Sequence, residues 1–198
     1  MSRLRSPFVW FILILLFIAV FTFFGPEEKS LGENVRIVYL HGAWVLSAQI
    51  VILAAAVMGL AGLLTRRESA HHWSQALGRA GIVFWVTYLP LSLWAMQANW
   101  NGLFLAEPRF RVALIFAIAG VLLQIGLALI AKLPWTSLAN LAYAISLNFV
   151  LNEAGNVLHP PPSPIFGSGN LKIEVFFILL NLLTLLASWQ LTRWWMRK

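Results

Sequence analysis

The sequence predicts an all-α integral membrane protein with six transmembrane helices and both termini in the cytoplasm. Of its 198 residues, 60% are hydrophobic and only 11% are charged. A soluble domain has about 45–50% apolar residues and about 25% charged ones. The mean hydropathy is +0.80. Because one small core cannot hide so much apolar surface, the composition excludes the water-soluble classes.

Six apolar stretches predict the six helices. A bilayer core of about 30 Å needs roughly 17–25 helical residues, and all six stretches are long enough. The first resembles a signal peptide, but no small-residue cleavage site follows it, so we expect it to be retained. No internal repeat or low-complexity linker is visible, which predicts one polytopic domain over residues 1–198. The stretches are residues 8–24, 43–64, 80–96, 112–131, 135–151 and 175–191.

The positive charges predict the orientation of the chain. If the N-terminus lies inside, nine Lys and Arg residues are cytoplasmic and five are external, as the positive-inside rule favours. Three irregular segments, residues 25–42, 97–111 and 152–172, then share the outer face. The inner residues are Arg3, Arg5, Arg66, Arg67, Arg79, Lys132, Arg193, Arg197 and Lys198, and the outer ones are Lys29, Arg36, Arg109, Arg111 and Lys172.

Several chemistries are excluded by the residues that the sequence lacks. There is no cysteine, so disulfides, thiolate metal sites and covalent haem attachment are impossible. No glycine-rich phosphate-binding motif is present, which argues against a nucleotide ligand. The net charge is +7, but the basic residues form no tract, so we expect no nucleic-acid partner.

The four histidines divide into two pairs. His71 and His72 lie in the predicted inner loop 65–79, where we expect a solvated basic segment. His41 and His159 both lie on the predicted outer face, at the start of one helix and beyond the end of another. Ionisable side chains at membrane depth are costly and are usually functional. The alternative is that each is an interfacial histidine bonded to the backbone.

The chemistry of His41 and His159 favours haem among the metal centres. Two imidazoles from different helices can ligate a haem iron from opposite sides. Copper and zinc sites usually need three or more protein ligands. Asn148 and Asn181 lie in the apolar stretches and Asn152 lies just beyond one of them. For all three we expect hydrogen bonds between helices rather than a transport path.

The residues around His41 resemble a known family. Arg36, Tyr39, His41, Ala43 and Trp44 follow the order of the "RI-Y-H-P-AW" sequence that begins the second helix in CcmC-type haem-handling proteins of cytochrome c maturation.

Two further segments resemble the same family in the same order. Residues 156–159 are similar to its "NTLH" segment, and residues 92–94 and 100–109 stand in the place of its tryptophan-rich "WGTWWVWDAR" platform. We call residues 100–109 the platform segment. Trp100 alone keeps a clustered tryptophan there, Glu107 replaces the aspartate, and Arg109 matches the platform's arginine.

The resemblance implies a non-covalent haem b at the periplasmic face of the inner (plasma) membrane. His41 and His159 would be its two axial ligands, and Trp44 would also be among the cofactor-binding residues. The platform segment, with Trp100 and Glu107, would support the haem edge and present it to a haem chaperone. The chain would be a carrier without catalytic turnover. Its expected partners are the lipid bilayer and either a haem chaperone or other membrane subunits.

The outer arginines are candidates for binding the haem propionates. Carboxylates near the surface need cationic partners, and Arg forms strong bidentate pairs with them. We expect at least one of Arg36, Arg109 and Arg111 to make this contact, and Arg109 is favoured. The alternative is that all three extend to lipid headgroups.

Two other functions stay open from the sequence. One is a membrane subunit of a larger respiratory or photosynthetic complex with a permanently bound b-type haem. The platform segment of this chain lacks most of the family's tryptophans. We therefore expect this segment to be a lid that slows haem dissociation, with Glu107 paired to Arg109 or Arg111. The other function is a small-molecule transporter without haem, although no inverted repeat supports it.

Overall fold

The structure is a computed structural model that describes residues 6–155, 165, 166 and 168–198. Within these residues the chain forms six α-helices, and the only strand-like pairing described is one isolated bridge between Glu28 and Gly32. The helices are α1 (Pro7–Phe23), α2 (Val35–Thr65), α3 (Glu68–Trp100), α4 (Pro108–Ile130), α5 (Leu133–Glu153) and α6 (Leu171–Trp195).

The helices run alternately up and down. Phe8 at the start of α1 packs on Trp194 at the end of α6, with ring centroids 5.0 Å apart. Phe21 near the end of α1 stacks on Phe176 near the start of α6 at 4.6 Å. The bundle therefore has two distinct ends. The His41 end contains the starts of α2, α4 and α6, and the His71 end contains the starts of α1, α3 and α5.

The surface of the bundle suits a lipid environment. Helices α2, α3, α4 and α6 are long and apolar enough to cross a membrane, and α1 is a shorter apolar helix. Large apolar side chains point outward, and Leu16, Leu122 and Leu129 are 61%, 63% and 83% exposed. The predicted class is confirmed at this level, because all-helical structure with exposed apolar helices is typical of a membrane-embedded protein.

Two helices begin much earlier than the apolar stretches predict. Helix α2 begins at Val35 rather than at residue 43, and α3 begins at Glu68 rather than at residue 80. The predicted inner loop 65–79 is therefore wrong over most of its length. Among the polar residues in the added turns of α3, His71 and Ser74 are buried against neighbouring helices, whereas Glu68, Ser69 and His72 are exposed. His71, predicted to be solvated, is only 7% exposed.

Helices α2, α3 and α5 approach closely around His71. Its Nδ1 lies 2.6 Å from the hydroxyl oxygen of Ser137 on α5. A Cβ at Gly62 would lie 2.7 Å from the same Nδ1, and a Cβ at Gly59 would lie 2.8 Å from the Ser137 carbonyl oxygen. Small residues at helix interfaces allow such close backbone approach in membranes. The two glycines of α2 therefore make room for the pair.

The polar contacts continue deeper between α3 and α5. The Nδ2 of Asn140 donates to the backbone oxygen of Ser74 at 2.9 Å. A Cβ at Gly78 would lie 2.6 Å from this Nδ2. The Nε2 of Gln124 on α4 donates to the Oδ1 of Asn140 at 3.2 Å. Hydrogen bonds between membrane helices contribute about 0.6 kcal/mol on average, so this chain of contacts mainly specifies which helix faces meet.

The asparagines singled out from the sequence behave differently. Asn148 donates to Ala144 and Asn181 donates to Phe177, each to a carbonyl of its own helix. The hydrogen bonds between helices predicted for them are thus replaced by bonds within the helix. Asn140 makes the contacts between helices because it lies on the face of α5 that packs against α3.

The Gly62 contact leads to a stability prediction. We expect Gly62→Ala to lower the melting temperature in detergent, because the new methyl group overlaps the buried imidazole of His71. Overpacking of this kind costs roughly 1–3 kcal/mol. The measurement is thermal unfolding followed by circular dichroism.

The matched control is Gly126→Ala in α4. A Cβ at Gly126 meets nothing within 4 Å, so this substitution gains up to about 1 kcal/mol of helix propensity without a clash. Equal melting temperatures for the two variants would contradict the packing of His71 against Gly62.

Candidate functional site at the His41 end

His41 lies in the second turn of α2, where it is half-buried. Its ring packs on Tyr88 of α3, with centroids 5.6 Å apart and planes at 45°. The Nδ1 atom is buried. The sequence places His41 where a loop enters the helix, whereas the structure places it inside the helix. Packing against α3 therefore sets the orientation of the imidazole.

Trp44 lies one turn after His41 on α2 and contacts α3. Its Nε1 donates to the hydroxyl of Thr87 at 2.9 Å. Its ring stacks on Phe84 at 4.7 Å with an interplanar angle of 19°. Trp44 was predicted among the cofactor-binding residues. In this structure its indole holds the part of α2 that carries His41 against α3.

Arg36 is engaged by the connection between α1 and α2. Its Nε donates to the carbonyl oxygen of Gly25 at 3.0 Å. Its two terminal nitrogens lie 3.2 Å from a carboxylate oxygen of Glu27 and 3.5 Å from one of Glu33. Of the three arginines predicted to bind propionates, Arg36 therefore already has two carboxylate neighbours.

The connection between α1 and α2 contains a turn that is stabilised by hydrogen bonds to Glu28. Its carboxylate accepts hydrogen bonds from the hydroxyl and the amide of Ser30, and from the amide of Leu31 at 3.1 Å. These bonds, that from the Ser30 hydroxyl foremost, lower the pKa of Glu28. The carboxylate is thus kept ionised, and the connection that surrounds Arg36 is acidic.

The start of α2 is tied to the end of α3. The Nδ2 of Asn34 donates to the carbonyl oxygen of Ala98 at 2.9 Å, and the Nδ2 of Asn99 donates to that of Asn34 at 3.4 Å. Helix α3 ends at Trp100, and Asn101 takes a left-handed conformation with φ of 51°. These contacts hold the beginning of the platform segment at the end of the bundle that carries His41.

The platform segment exposes apolar side chains. Leu103, Phe104 and Leu105 are 53%, 46% and 54% exposed. The ring of Trp100 meets Phe104 edge-on at 5.9 Å. Adjacent exposed apolar groups form a surface that can hold an apolar ligand or enter the bilayer. The segment therefore has the character expected of a supporting surface or a lid.

Glu107 caps helix α4. Its carboxylate accepts a hydrogen bond from the amide of Phe110, and Pro108 occupies the first turn. This arrangement is favourable because a carboxylate can accept hydrogen bonds from the first amides of a helix. Proline suits the first helical position because its nitrogen carries no hydrogen that would need an acceptor. Arg109 and Arg111 consequently lie in the first turn of α4, the former half-buried and the latter exposed.

The connection between α5 and α6 returns to the neighbourhood of His41. A Cβ at Gly42 would lie 3.8 Å from the Cδ1 of Ile165. The ring of Phe166 packs on Phe177 of α6 at 5.3 Å. His159 lies outside the described residues. The described residues on both sides of 156–164 belong to the His41 end.

The structure thus brings most predicted site residues to one end of the bundle. His41, Trp100, Glu107, Arg109 and Arg111 all lie there, although Glu107 serves as a helix cap. In the part of the chain that is described, no group of three or more His, Asp or Glu side chains can hold a metal ion. Among the described residues, His41 is the histidine that supplies an imidazole to a candidate haem site at this end.

Sequence reasoning missed the buried pair of His71 and Ser137. Hydropathy assigns His71 to a polar loop because Arg66, Arg67 and Glu68 precede it. A signal was available in the small residues three apart on α2 together with polar residues three apart on α5. Such spacing indicates one helix face that packs closely on another.

Comparison with known proteins does not extend this description: no family model, no curated protein and no solved structure matches the chain.

The cap on α4 can be tested by hydrogen exchange. We expect Glu107→Ala to increase the exchange rate of the amide of Phe110, since its acceptor is lost and capping contributes about 1 kcal/mol. Glu107→Asp, which keeps a carboxylate, should retain most of the protection. Equal protection in Glu107→Ala and the unmodified protein would contradict the cap.

Proposed function

We propose that this chain is a haem-binding membrane protein that holds haem b between His41 and His159. The supporting observation is that the helices gather His41, the platform segment and the first turn of α4 at one end of the bundle. The described flanks of residues 156–164 lie at that end too. His159 is six residues from Ile165, and six residues span at most about 20 Å.

His41 is suited to be the first ligand. Its helix is held by the contacts of Trp44, and its ring is oriented by Tyr88. A ligand that is positioned before binding loses little conformational entropy when it binds. When bound, haem would supply the iron, and the imidazole of His41 would be one of the groups that hold it. His159, which the family resemblance also selects, is the proposed second ligand.

Arg109 and Arg111 are the proposed partners of the propionates. Both lie in the first turn of α4, next to the platform segment. Arg36 is a poorer candidate because Glu27 and Glu33 already lie within 3.5 Å of its guanidinium. A further carboxylate there would meet like charges. The propionates are therefore proposed to point toward the start of α4.

The platform segment is proposed to contact the apolar edge of the haem. Leu103, Phe104 and Leu105 provide exposed apolar area, and Trp100 provides an aromatic face. In this proposal the chain is a haem carrier of the cytochrome c assembly type, without catalytic turnover. A haem chaperone or other membrane subunits would be its partners.

We also propose six membrane spans, with both termini in the cytoplasm and the His41 end at the periplasmic face of the inner membrane. Support comes from the nine-to-five bias of basic residues. The up-and-down arrangement of the six helices is compatible with it.

This orientation predicts the signals of reporter fusions. Fusions after Glu33 and after Gly167 should read as external, and fusions after Arg67 and after Lys132 should read as cytoplasmic. The measurement uses two reporters: alkaline phosphatase, which is active on the external side, and a fluorescent protein, which is fluorescent on the cytoplasmic side. A cytoplasmic signal after Glu33 or Gly167 would contradict the prediction that both segments lie on the outer side of the membrane.

The haem proposal is tested by a reduced-minus-oxidised visible spectrum of the purified chain. Two imidazole ligands predict a low-spin, six-coordinate haem. Replacing His41 or His159 by Ala should lower the haem content or produce a high-spin species. A purified protein without a haem spectrum, even after haem is added, would favour the transporter without haem.

The matched control is His72→Ala. His72 is exposed at the opposite end of the bundle, 3.6 Å from Glu68, and its replacement should leave the spectrum unchanged. His71→Ala is less suitable as a control because it also removes the buried contact with Ser137. A spectrum that depended on His72 and not on His159 would refute the ligand assignment.

Transfer of haem to excess apomyoglobin distinguishes a carrier from a protein that retains its haem. A lid formed by the platform segment predicts slow transfer, and Trp100→Ala should accelerate it severalfold because aromatic contact area is lost. The rate is read from the Soret band of the product. Slow transfer that Trp100→Ala accelerates would favour the alternative, a membrane subunit that retains its haem. Rapid transfer from the unmodified protein would contradict the lid and support the carrier that releases haem to a chaperone.

A further inference from the structure

An open cleft lies at the His71 end of the bundle. Its volume is about 550 Å³, and it is bounded by the end of α2, the start of α3 and the short link between α4 and α5. Arg66 and Lys132 lie on its rim, His71 lies in its wall, and Leu63 and Leu133 supply apolar surface. Nothing in the proposed haem site uses this cleft, because His41 belongs to the opposite end.

The charges around the cleft are mainly positive. Arg66 and Lys132 are exposed, and they come from separate connections that the fold brings together. Glu68 is the acidic residue among the lining groups, and its carboxylate lies 3.6 Å from the imidazole of His72. Two cationic side chains facing one cleft attract an anion, and phosphate oxygens are suitable partners for both types of side chain.

The buried wall of the cleft is fixed in place. His71 is 7% exposed, and its Nδ1 is held 2.6 Å from Ser137. The close approach of Gly62 leaves the ring no room to move toward α2. The part of the cleft formed by His71 and Gly62 is therefore a preformed feature of the helix packing.

Tryptophans indicate the depth of the cleft in the membrane. Trp135 is 58% exposed one residue after the lining residue Pro134. Trp10 and Trp189, also at this end, are 50% and 44% exposed. Exposed tryptophans concentrate at the level of the lipid headgroups. The cleft thus opens where phosphate groups of the bilayer lie.

We propose that this cleft binds the phosphate headgroup of an anionic membrane phospholipid. Arg66 and Lys132 contact the phosphate, and the apolar side chains of Leu63 and Leu133 contact the beginning of an acyl chain. Basic pockets between membrane helices are suited to acidic lipids. A free phosphate ion would use the charges but not the apolar wall, which is why a lipid is the better ligand.

The test is a titration of the full chain in neutral detergent, followed by native mass spectrometry. The probe is dioleoylphosphatidylglycerol, and dioleoylphosphatidylcholine is the neutral reference lipid. Each basic side chain near an anionic headgroup contributes roughly fivefold in affinity. The double variant Arg66→Gln, Lys132→Gln should therefore bind phosphatidylglycerol about 25-fold more weakly and lose its preference over phosphatidylcholine.

The charge-matched control is the double variant Arg193→Gln, Arg197→Gln. It removes two positive charges from the same end of the bundle, and neither residue lines the cleft. Its affinity for phosphatidylglycerol should stay within about twofold of that of the unmodified protein. A loss as large as that of the cleft variant would show diffuse surface attraction and overturn the proposal.

Inorganic phosphate separates the two possible sources of the anion. If the lipid is the ligand, millimolar phosphate should displace it only weakly, since the apolar contacts are retained. Complete displacement by phosphate, with the same loss in the cleft variant, would assign the site to a soluble anion and overturn the lipid assignment. Unchanged lipid binding in the cleft variant would overturn it as well.

Discussion

The close packing of α2, α3 and α5 around His71 is the constraint on which the rest of the bundle depends. Gly59 and Gly62 let α2 approach Ser137 and His71 to distances that no larger residue permits. In a membrane, helices gain little from apolar burial because lipid is equally apolar, so close contact and matched polar groups decide which faces meet. Once these three helices are fixed, the positions of both ends of the bundle follow.

At the His41 end, the polar residues divide between structural and exposed positions. Arg36 is surrounded by carboxylates of the first connection, and Glu107 caps α4. Asn34 and Asn99 tie two helix ends together. A motif residue that sequence similarity associates with a ligand can thus have a structural contact of its own. Among the described residues, the proposed haem site is correspondingly limited to His41, the platform segment and the first turn of α4, with His159 as the proposed second ligand.

The two ends of the bundle have different chemistry. The His41 end combines an oriented imidazole with an exposed apolar segment, which suits a large flat cofactor with an apolar body. The His71 end combines a rigid buried wall with mobile cationic side chains, which suits a small anion attached to an apolar chain. This difference arises because polar residues interrupt the long apolar helices near their ends. The fold brings the polar residues of different helices together at each end of the bundle.

The sequence by itself determined the class of protein and the apolar central part of each of the six helices. Apolar stretches as long as 112–131 and 175–191 favour a helix in a membrane, because a helix satisfies every backbone group within its own segment and a membrane-spanning strand is only about 9–11 residues long. The order of Arg36, His41 and Trp44 likewise singled out the start of α2. Hydropathy was a sufficient guide wherever a helix meets lipid on most of its surface.

Only the tertiary structure decided how far α2 and α3 extend and which polar residues are buried. Residues 68–79 are too polar for hydropathy to recognise as a buried helix, yet His71 and Ser74 are enclosed because Gly62 and Asn140 are complementary to them. Likewise, Glu27 precedes Arg36 by nine residues, and the folded connection places its carboxylate 3.2 Å from the guanidinium. Such pairings depend on contacts between separate helices and loops, and a linear pattern does not contain them.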